Sequence, residues 1–203
     1  FLSAHGTYQG KPVSDGLKVR FSPVPAQLDA SRLEGLELAV NVGSQCFFTS
    51  DESLLTWVPD QPYTSGSWGY IGGKEAGTQT EIGHTADGPL FQTLRNGIEA
   101  YRFDVPQGIY EVELIFADIF RQQSSAAYLL GRGNGQENRE NTFGIRINGQ
   151  TVEDALAPCK ESGYFQALRK KYIVENETDH LEIKFQALGG SCFLNGIKLR
   201  KVY

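Results

Sequence analysis

Four aromatic side chains crowd one short stretch: Trp57, Tyr63, Trp68 and Tyr70, set among Pro59, Pro62, Gly66, Gly69, Gly72 and Gly73. Rings held on a turn-rich stretch do one of two jobs. They plug the end of a β-fold, or they present flat apolar faces to a ligand. Sugars suit the second job, because pyranose C–H faces stack on rings while hydroxyls take hydrogen bonds from Asn, Asp, Arg and backbone. One stacked ring that removes about 50 Å² from water contributes on the order of 1 kcal/mol. Two or three such platforms with hydrogen bonds reach the roughly −4 to −6 kcal/mol of a weak binder.

Other chemistries are less well served. The chain has 24 Asp and Glu, and a glycosidase needs only two carboxyl groups at a suitable separation. Spacing along a β-rich sequence does not set that separation, and no acid–nucleophile pair stands out. Cys46, Cys159 and Cys192 are widely spaced and odd in number, and His5, His84 and His180 are scattered. Neither set has zinc-ligand spacing, so the cysteines read as small buried thiols with at most one disulfide. Gly66-Ser67-Trp68-Gly69 lacks the spacing of a nucleophile elbow. Gly131-Arg132-Gly133-Asn134-Gly135 follows no clear strand and has no Lys-Ser/Thr, so it reads as a flexible loop rather than a phosphate cradle. Asn176-Glu177-Thr178 fits a glycosylation sequon, which matters only in a eukaryotic secretory pathway. No catalytic residue, metal or cofactor is implied.

The elements that must position these residues are strands. The chain has 203 residues, and that length suits one domain with or without an appendage. Nineteen Lys and Arg against 24 Asp and Glu leave a net charge of −5. A mildly acidic chain without a basic run argues against nucleic acid or an anionic membrane as the main partner. No stretch approaches the roughly 18 apolar residues of a membrane span, and the first ten residues do not form a signal peptide. Leu36–Val42, Ala100–Val105, Tyr110–Phe116, Thr142–Ile147, Leu181–Phe185 and Ile197–Arg200 read as strands. Tyr110, Val112, Leu114 and Phe116 share one face, with Glu111 and Glu113 on the other. Asn148-Gly149 signals a type I′ hairpin. This alternation predicts antiparallel sheets with one wet face, stacked as an all-β sandwich of jelly-roll type.

The remaining stretches are expected to be irregular. Residues 50–80 read mostly as loop, and Glu161–Lys171 as a helical turn at most. Arg121–Asn141 is an unusually long polar connection with Tyr128-Leu129-Leu130 in its middle. Residues 1–35, punctuated by Pro12, Pro23 and Pro25 with one alternating run at Leu17–Phe21, read as a linker or edge segment of a preceding domain. Met is absent and residue 1 is Phe. Both features fit a processed chain or an excised module.

An ordered set of motifs then becomes recognisable. Leu38-Ala39-Val40-Asn41-Val42-Gly43 opens it, followed by Asp60-x-x-Tyr63-x-x-Gly66-Ser67-Trp68-Gly69-Tyr70-x-Gly72-Gly73 and Pro89-Leu90-Phe91-Gln92-Thr93-Leu94-Arg95. Tyr101-x-Phe103-x-Val105-Pro106-x-Gly108-x-Tyr110-x-Val112-x-Leu114-x-Phe116-Ala117-Asp118 comes next. Phe143-x-Ile145-x-Ile147-Asn148-Gly149 and Leu194-Asn195-Gly196-Ile197 close it. Together these resemble the malectin-like carbohydrate-binding domain over residues 36–203. The glycine-rich version looks like the module at the C-terminus of bacterial family-two glycoside hydrolases of β-galactosidase type.

The resemblance implies a malectin- or galactose-binding-like jelly roll that binds glucose-type disaccharides at one end through aromatics and an aspartate. The aromatic before the Gln-Thr-x-Arg motif matches Tyr70, with Trp68 beside it. The tyrosine after that motif's arginine is Asn96 here. The aromatic pair after Phe-Ala-Asp is Phe120 followed by Arg121, and the late aspartate falls at Gly190-Ser191. About half the disaccharide site is thus replaced. The resulting expectation is a non-catalytic module of a periplasmic or extracellular bacterial enzyme. Its partners would be an oligo- or polysaccharide and the catalytic domain of the same chain. The alternative is a docking domain that packs on the catalytic domain without binding sugar.

Overall fold

A computed structural model describes residues 2–8, 11–17, 37–51, 53–120 and 140–202. Fourteen strands and two one-turn helices account for most of the described chain. Strands β1 (Leu2–Tyr8) and β2 (Lys11–Leu17) form an antiparallel hairpin, where a linker or single edge strand was expected. Only Leu17 of the alternating run at 17–21 belongs to it, at the end of β2; residues 18–21 lie outside the described residues.

Two six-stranded sheets make the sandwich. The first contains β6 (Trp68–Gly77), β7 (Thr93–Phe103), β9 (Thr142–Ile147), β10 (Gln150–Leu156), β12 (Leu181–Gly189) and β13 (Phe193–Leu194). Its order is β10-β9-β12-β7-β13, with β6 also paired to β7. The second contains β3 (Glu37–Asn41), β4 (Phe48–Thr49), β5 (Thr56–Pro59), β8 (Gly108–Phe116), β11 (Leu168–Asn176) and β14 (Gly196–Lys201). Its order is β11-β8-β14-β3-β5-β4. The sandwich expectation holds, with one departure: β3 and β5 run parallel.

The core follows from the period of two. Tyr110, Val112, Leu114 and Phe116 of β8 point between the sheets with Leu38, Val40, Ile197 and Leu199 of the same sheet. Phe103, Phe143, Ile145, Ile183 and Phe193 meet them from the other sheet. Phe116, Phe143 and Phe193 pack tilted or edge to face with centroids 5.5–6.2 Å apart, the geometry that ring quadrupoles favour. Tyr110 Oη donates to the Pro106 carbonyl at 2.8 Å, which pins the turn into β8.

Ala39 and Ile115 face the other way. They are covered by Trp57, Ile82, Leu90 and Phe91 from β5, the 78–87 connection and α1 (Gly88–Phe91). The second sheet is therefore buried on both faces along part of its width. Asn176 of the sequon is buried as well. It is 1% exposed, and its amide donates to the carbonyls of Val105, Pro106 and Thr178. The sequon is a structural tie.

Two segments expected to be irregular are strands. Residues 68–77 form β6, and 168–176 form β11, preceded by α2 (Pro158–Glu161). Glycines hid the first. Gly69, Gly72 and Gly73 have φ of +150°, +74° and +80°, with a bulge between Ile71 and Gly72. A charged run hid the second, because Lys170 sits on the inner side of β11 beside Leu168 and Tyr172. Its ammonium meets Glu153 at 3.5 Å and Glu161 at 2.7 Å.

Candidate functional site

One end of the sandwich holds some of the residues singled out from the sequence. Its foundation is a buried ion pair. Asp60 follows β5, and Arg95 lies near the start of β7. Arg95 Nε stands 2.9 Å from Asp60 Oδ2, with both side chains at most 4% exposed. The carboxylate also accepts from the Gly43 N–H at 2.9 Å, the Gln61 N–H at 3.0 Å and the Tyr101 hydroxyl at 3.0 Å. Burial raises the Asp60 pKa above its ordinary value, and these donors oppose that rise. Burial, and then the neighbouring Asp60, pushes the Tyr101 hydroxyl well up.

The Arg95 guanidinium lies under Tyr70, with Cζ 3.2 Å from the ring centroid. Stacking of this kind fixes a ring's plane. The Tyr70 backbone is tied as well: its N–H donates to the Gln61 carbonyl, and its carbonyl accepts from the Tyr63 N–H, both at 3.0 Å. Gly73 has to be glycine here, because a Cβ would stand 2.7 Å from Arg95 Cγ at a φ of +80°. Tyr70 is half-buried and packs on the rim of the core.

Asn96 follows Arg95 on β7, opposite Lys74 of β6 and Phe193 of β13. Its Oδ1 is buried and lacks a donor, a costly state for a polar atom. Phe120 closes the group. Its ring stands 6.1 Å from that of Phe193, edge to face. Its N–H donates to Asp118 at 3.0 Å, and Asn141 donates to the same carboxylate at 3.2 Å. Asn141 in turn accepts from the Ser191 N–H at 2.9 Å. Burial raises the Asp118 pKa, against the pull of the Phe120 N–H and Asn141.

Tyr70 thus lies on Arg95, Asn96 follows Arg95 and pairs with Phe193, and Phe120 packs on Phe193, with Ser191 where the resemblance placed an acid. Trp68 lies on a strand instead of a loop, is 3% exposed and belongs to the core, so its ring offers no face to a ligand. Trp57 is 2% exposed. Tyr63 is bound elsewhere, its hydroxyl on Asp104 at 2.9 Å. Arg121 and most of the 121–141 connection lie outside the described residues. The Asp60–Arg95–Tyr101 network was missed as a unit, although all three stand in the quoted motifs. The available signal was one acid and one base inside otherwise apolar motif runs, which suggests a buried pair. Among the described residues no group of His, Cys, Asp and Glu is arranged to hold a metal.

Comparison with known proteins supplies the family. The malectin domain model matches residues 36–197. A β-glucuronidase from Bacteroides uniformis is 64% identical, with a TM-score of 0.82 over 99% of this chain and 22% of that one. A second structure, of Bacteroides uniformis β-glucuronidase 2, gives 64% and 0.81 over the same shares. The chain therefore spans about a fifth of the length of the glycoside hydrolases it matches. The ANX2 ectodomain from Arabidopsis thaliana shares the fold at 16% identity, with a TM-score of 0.61 over 81% of this chain and 49% of that one. No curated protein matches the sequence. The sandwich, the ordered motifs and the family match agree: this chain belongs to the malectin domain family.

Proposed function

We propose that the chain is a non-catalytic carbohydrate-binding module of a glycoside hydrolase, periplasmic or extracellular in a bacterium, with residues 1–35 as its connector. The observation that carries this reading is the sandwich end. A tyrosine ring is locked over a buried arginine, a phenylalanine packs on Phe193, and the Oδ1 of Asn96, next to that arginine in the chain, is buried without a donor. A sugar supplies both an apolar face and a hydroxyl donor. Tyr70 and Phe120 are the stacking residues and Asn96 the acceptor. Arg121 is proposed at the rim. Trp68 acts from within by holding β6. The enzyme type that supports a glycoside hydrolase parent is a β-glucuronidase, in place of the β-galactosidase type that the motifs resemble. Within the described residues no helix is long and apolar enough to cross a membrane.

Titration of neutral disaccharides, followed at the backbone amide signals of Asn96 and Phe120, tests the reading. Saturable shifts that Tyr70→Ala weakens at least tenfold are expected, about 1.4 kcal/mol or more. Stationary signals with the fold intact would sink it. A second reading is favoured by Phe47 and Leu54, which are 67% and 80% exposed: the module docks on the remainder of the enzyme through these apolar tips. Immobilised module that retains the separately expressed remainder, and loses it on Phe47→Ser with Leu54→Ser, would favour docking.

A further inference from the structure

The edges of both sheets are mostly blunted. β4 and β13 have two residues each. β10 shifts register against β9 twice, between Thr151 and Glu153 and between Glu153 and Leu156. β6 is bulged between Ile71 and Gly72. Such devices keep an edge from pairing with another chain. β11 has none of them. It lies at the end of the second sheet and runs nine residues, which is long for a strand. Its register on β8 is unbroken, and it contains neither proline nor glycine.

Ladder parity decides which backbone groups of β11 are free. At its head, the Phe165 carbonyl accepts from the Gly83 N–H at 2.9 Å, and the Ala167 N–H donates to the Gly83 carbonyl at 3.0 Å. Residues of odd number thus turn their backbone away from β8. β8 agrees: Val202 donates to the Ile109 carbonyl at 2.8 Å, so its odd residues face β14 and its even ones face β11. Even meets even across that ladder, as Tyr110 with Val174 and Val112 with Tyr172. Beyond Gly83 no described residue bonds the outward backbone of Arg169, Lys171, Ile173 and Glu175.

The side chains at these positions suit a second copy. Lys171, Ile173 and Glu175 are exposed, Ile173 to 64%. Lys171 has Glu113 at 3.9 Å, and among the described residues no ion pair holds Glu175. Charged side chains guard many edges, but these are placed to admit one partner. We propose that β11 is a self-association edge: a second copy of this chain pairs with it antiparallel about a two-fold axis at Ile173. That axis sets Ile173 on its own copy and Lys171 opposite the partner's Glu175, once on each side. Only odd residues then meet across the join, as the free backbone groups require. Moving the axis by one residue sets Ile173 against Lys171 or Glu175 and loses the match. A ladder of this length stays below about 1,200 Å² of buried surface, so the dimer is weak, with Kd of about 10 μM to 1 mM.

Sedimentation equilibrium of the 203-residue chain, from about 10 μM to 1 mM, reads the association. The average mass is expected to climb from 22.4 kDa towards twice that value. Lys171→Glu alone, or Glu175→Lys alone, sets like charges opposite each other on both sides of the axis. Each weakens association by about tenfold or more. The two changes in one chain restore it, and so does mixing the two single variants. Ile173→Lys, which sets two cations together on the axis, leaves a monomer. Hydrogen exchange at the amides of Lys171, Ile173 and Glu175 slows as concentration rises. A mass that stays at 22.4 kDa at about 1 mM overturns the proposal. So does association that Ile173→Lys leaves intact, or that the paired charge swap fails to restore. If these amides are protected only when the separately expressed remainder of the enzyme is added, the edge belongs to that partner and the proposal falls.

Discussion

Arg95 does two things at once: it neutralises a buried carboxylate and carries the ring of Tyr70. Arg95→Met keeps the stem and removes the charge, which leaves Asp60 buried and unpaired. Breaking such a pair costs about 3–5 kcal/mol. The pH dependence follows from the direction of the Asp60 shift, which is upward from 3.8 in the intact protein. A raised carboxyl stabilises the fold most below its unfolded value and loses that contribution as pH rises through its folded value. Without Arg95 the folded value climbs further. The expected loss, measured by urea unfolding, is therefore full at pH 7 and smaller near pH 4. Equal losses at the two pH values would show that Asp60 is not the source. At this scale the sequence was legible where alternation alone sets the face a residue occupies, as for Tyr110 and Phe116, both fully buried. Trp68 was misread because membership of a glycine-rich run says nothing about which side of a strand a ring occupies.

At the scale of elements, Asn195 joins what the chain order separates. Its amide nitrogen donates to the carbonyls of Phe91 and Thr93 at 2.8 and 2.9 Å, and its oxygen accepts from the Ala117 N–H at 2.8 Å. It thereby fastens α1 and the start of β7 in one sheet to the end of β8 in the other. Asn195→Leu is expected to cost about 2–5 kcal/mol, since three buried backbone groups lose their partner; chemical unfolding measures it. The hairpin at Asn148-Gly149 has φ of +49° and +80°, as two adjacent left-handed residues require. Gly149→Ala is expected to lower stability by about 1 kcal/mol in a thermal melt. That hairpin was readable because two residues dictate it. β6 and β11 were not, because glycine bulges and an inward lysine break the alternation on which a strand reading depends. Their identity is set by neighbours across the sheet: β11 runs in unbroken register from Leu168 on Phe116 to Asn176 on Gly108.

For the whole molecule, aromatic content and short alternating runs were enough to indicate two stacked sheets, because a period of two leaves each strand one face to bury. How the ends are closed was not readable, since that depends on contacts between residues far apart in the chain, such as Asp60 with Arg95 and Asp118 with Asn141. The sandwich closes without a disulfide: Cys46 is exposed, Cys159 half-buried and Cys192 buried, all as free thiols. They form a graded reporter of how the fold opens. The thiolate is the reactive form, and burial raises the Cys192 pKa to about 11 and that of Cys159 above its ordinary value. Cys46, the exposed one, should react fastest with a disulfide reagent, and Cys159 more slowly through local motion. Cys192, packed in the core between the sheets, should react only through opening of the sandwich. Its labelling rate, followed by mass spectrometry, is expected to rise in Asn195→Leu by the factor that the measured stability loss dictates, while that of Cys46 stays constant. If Cys192 is labelled as fast as Cys46 in the intact protein, the sheets part more readily than their packing implies.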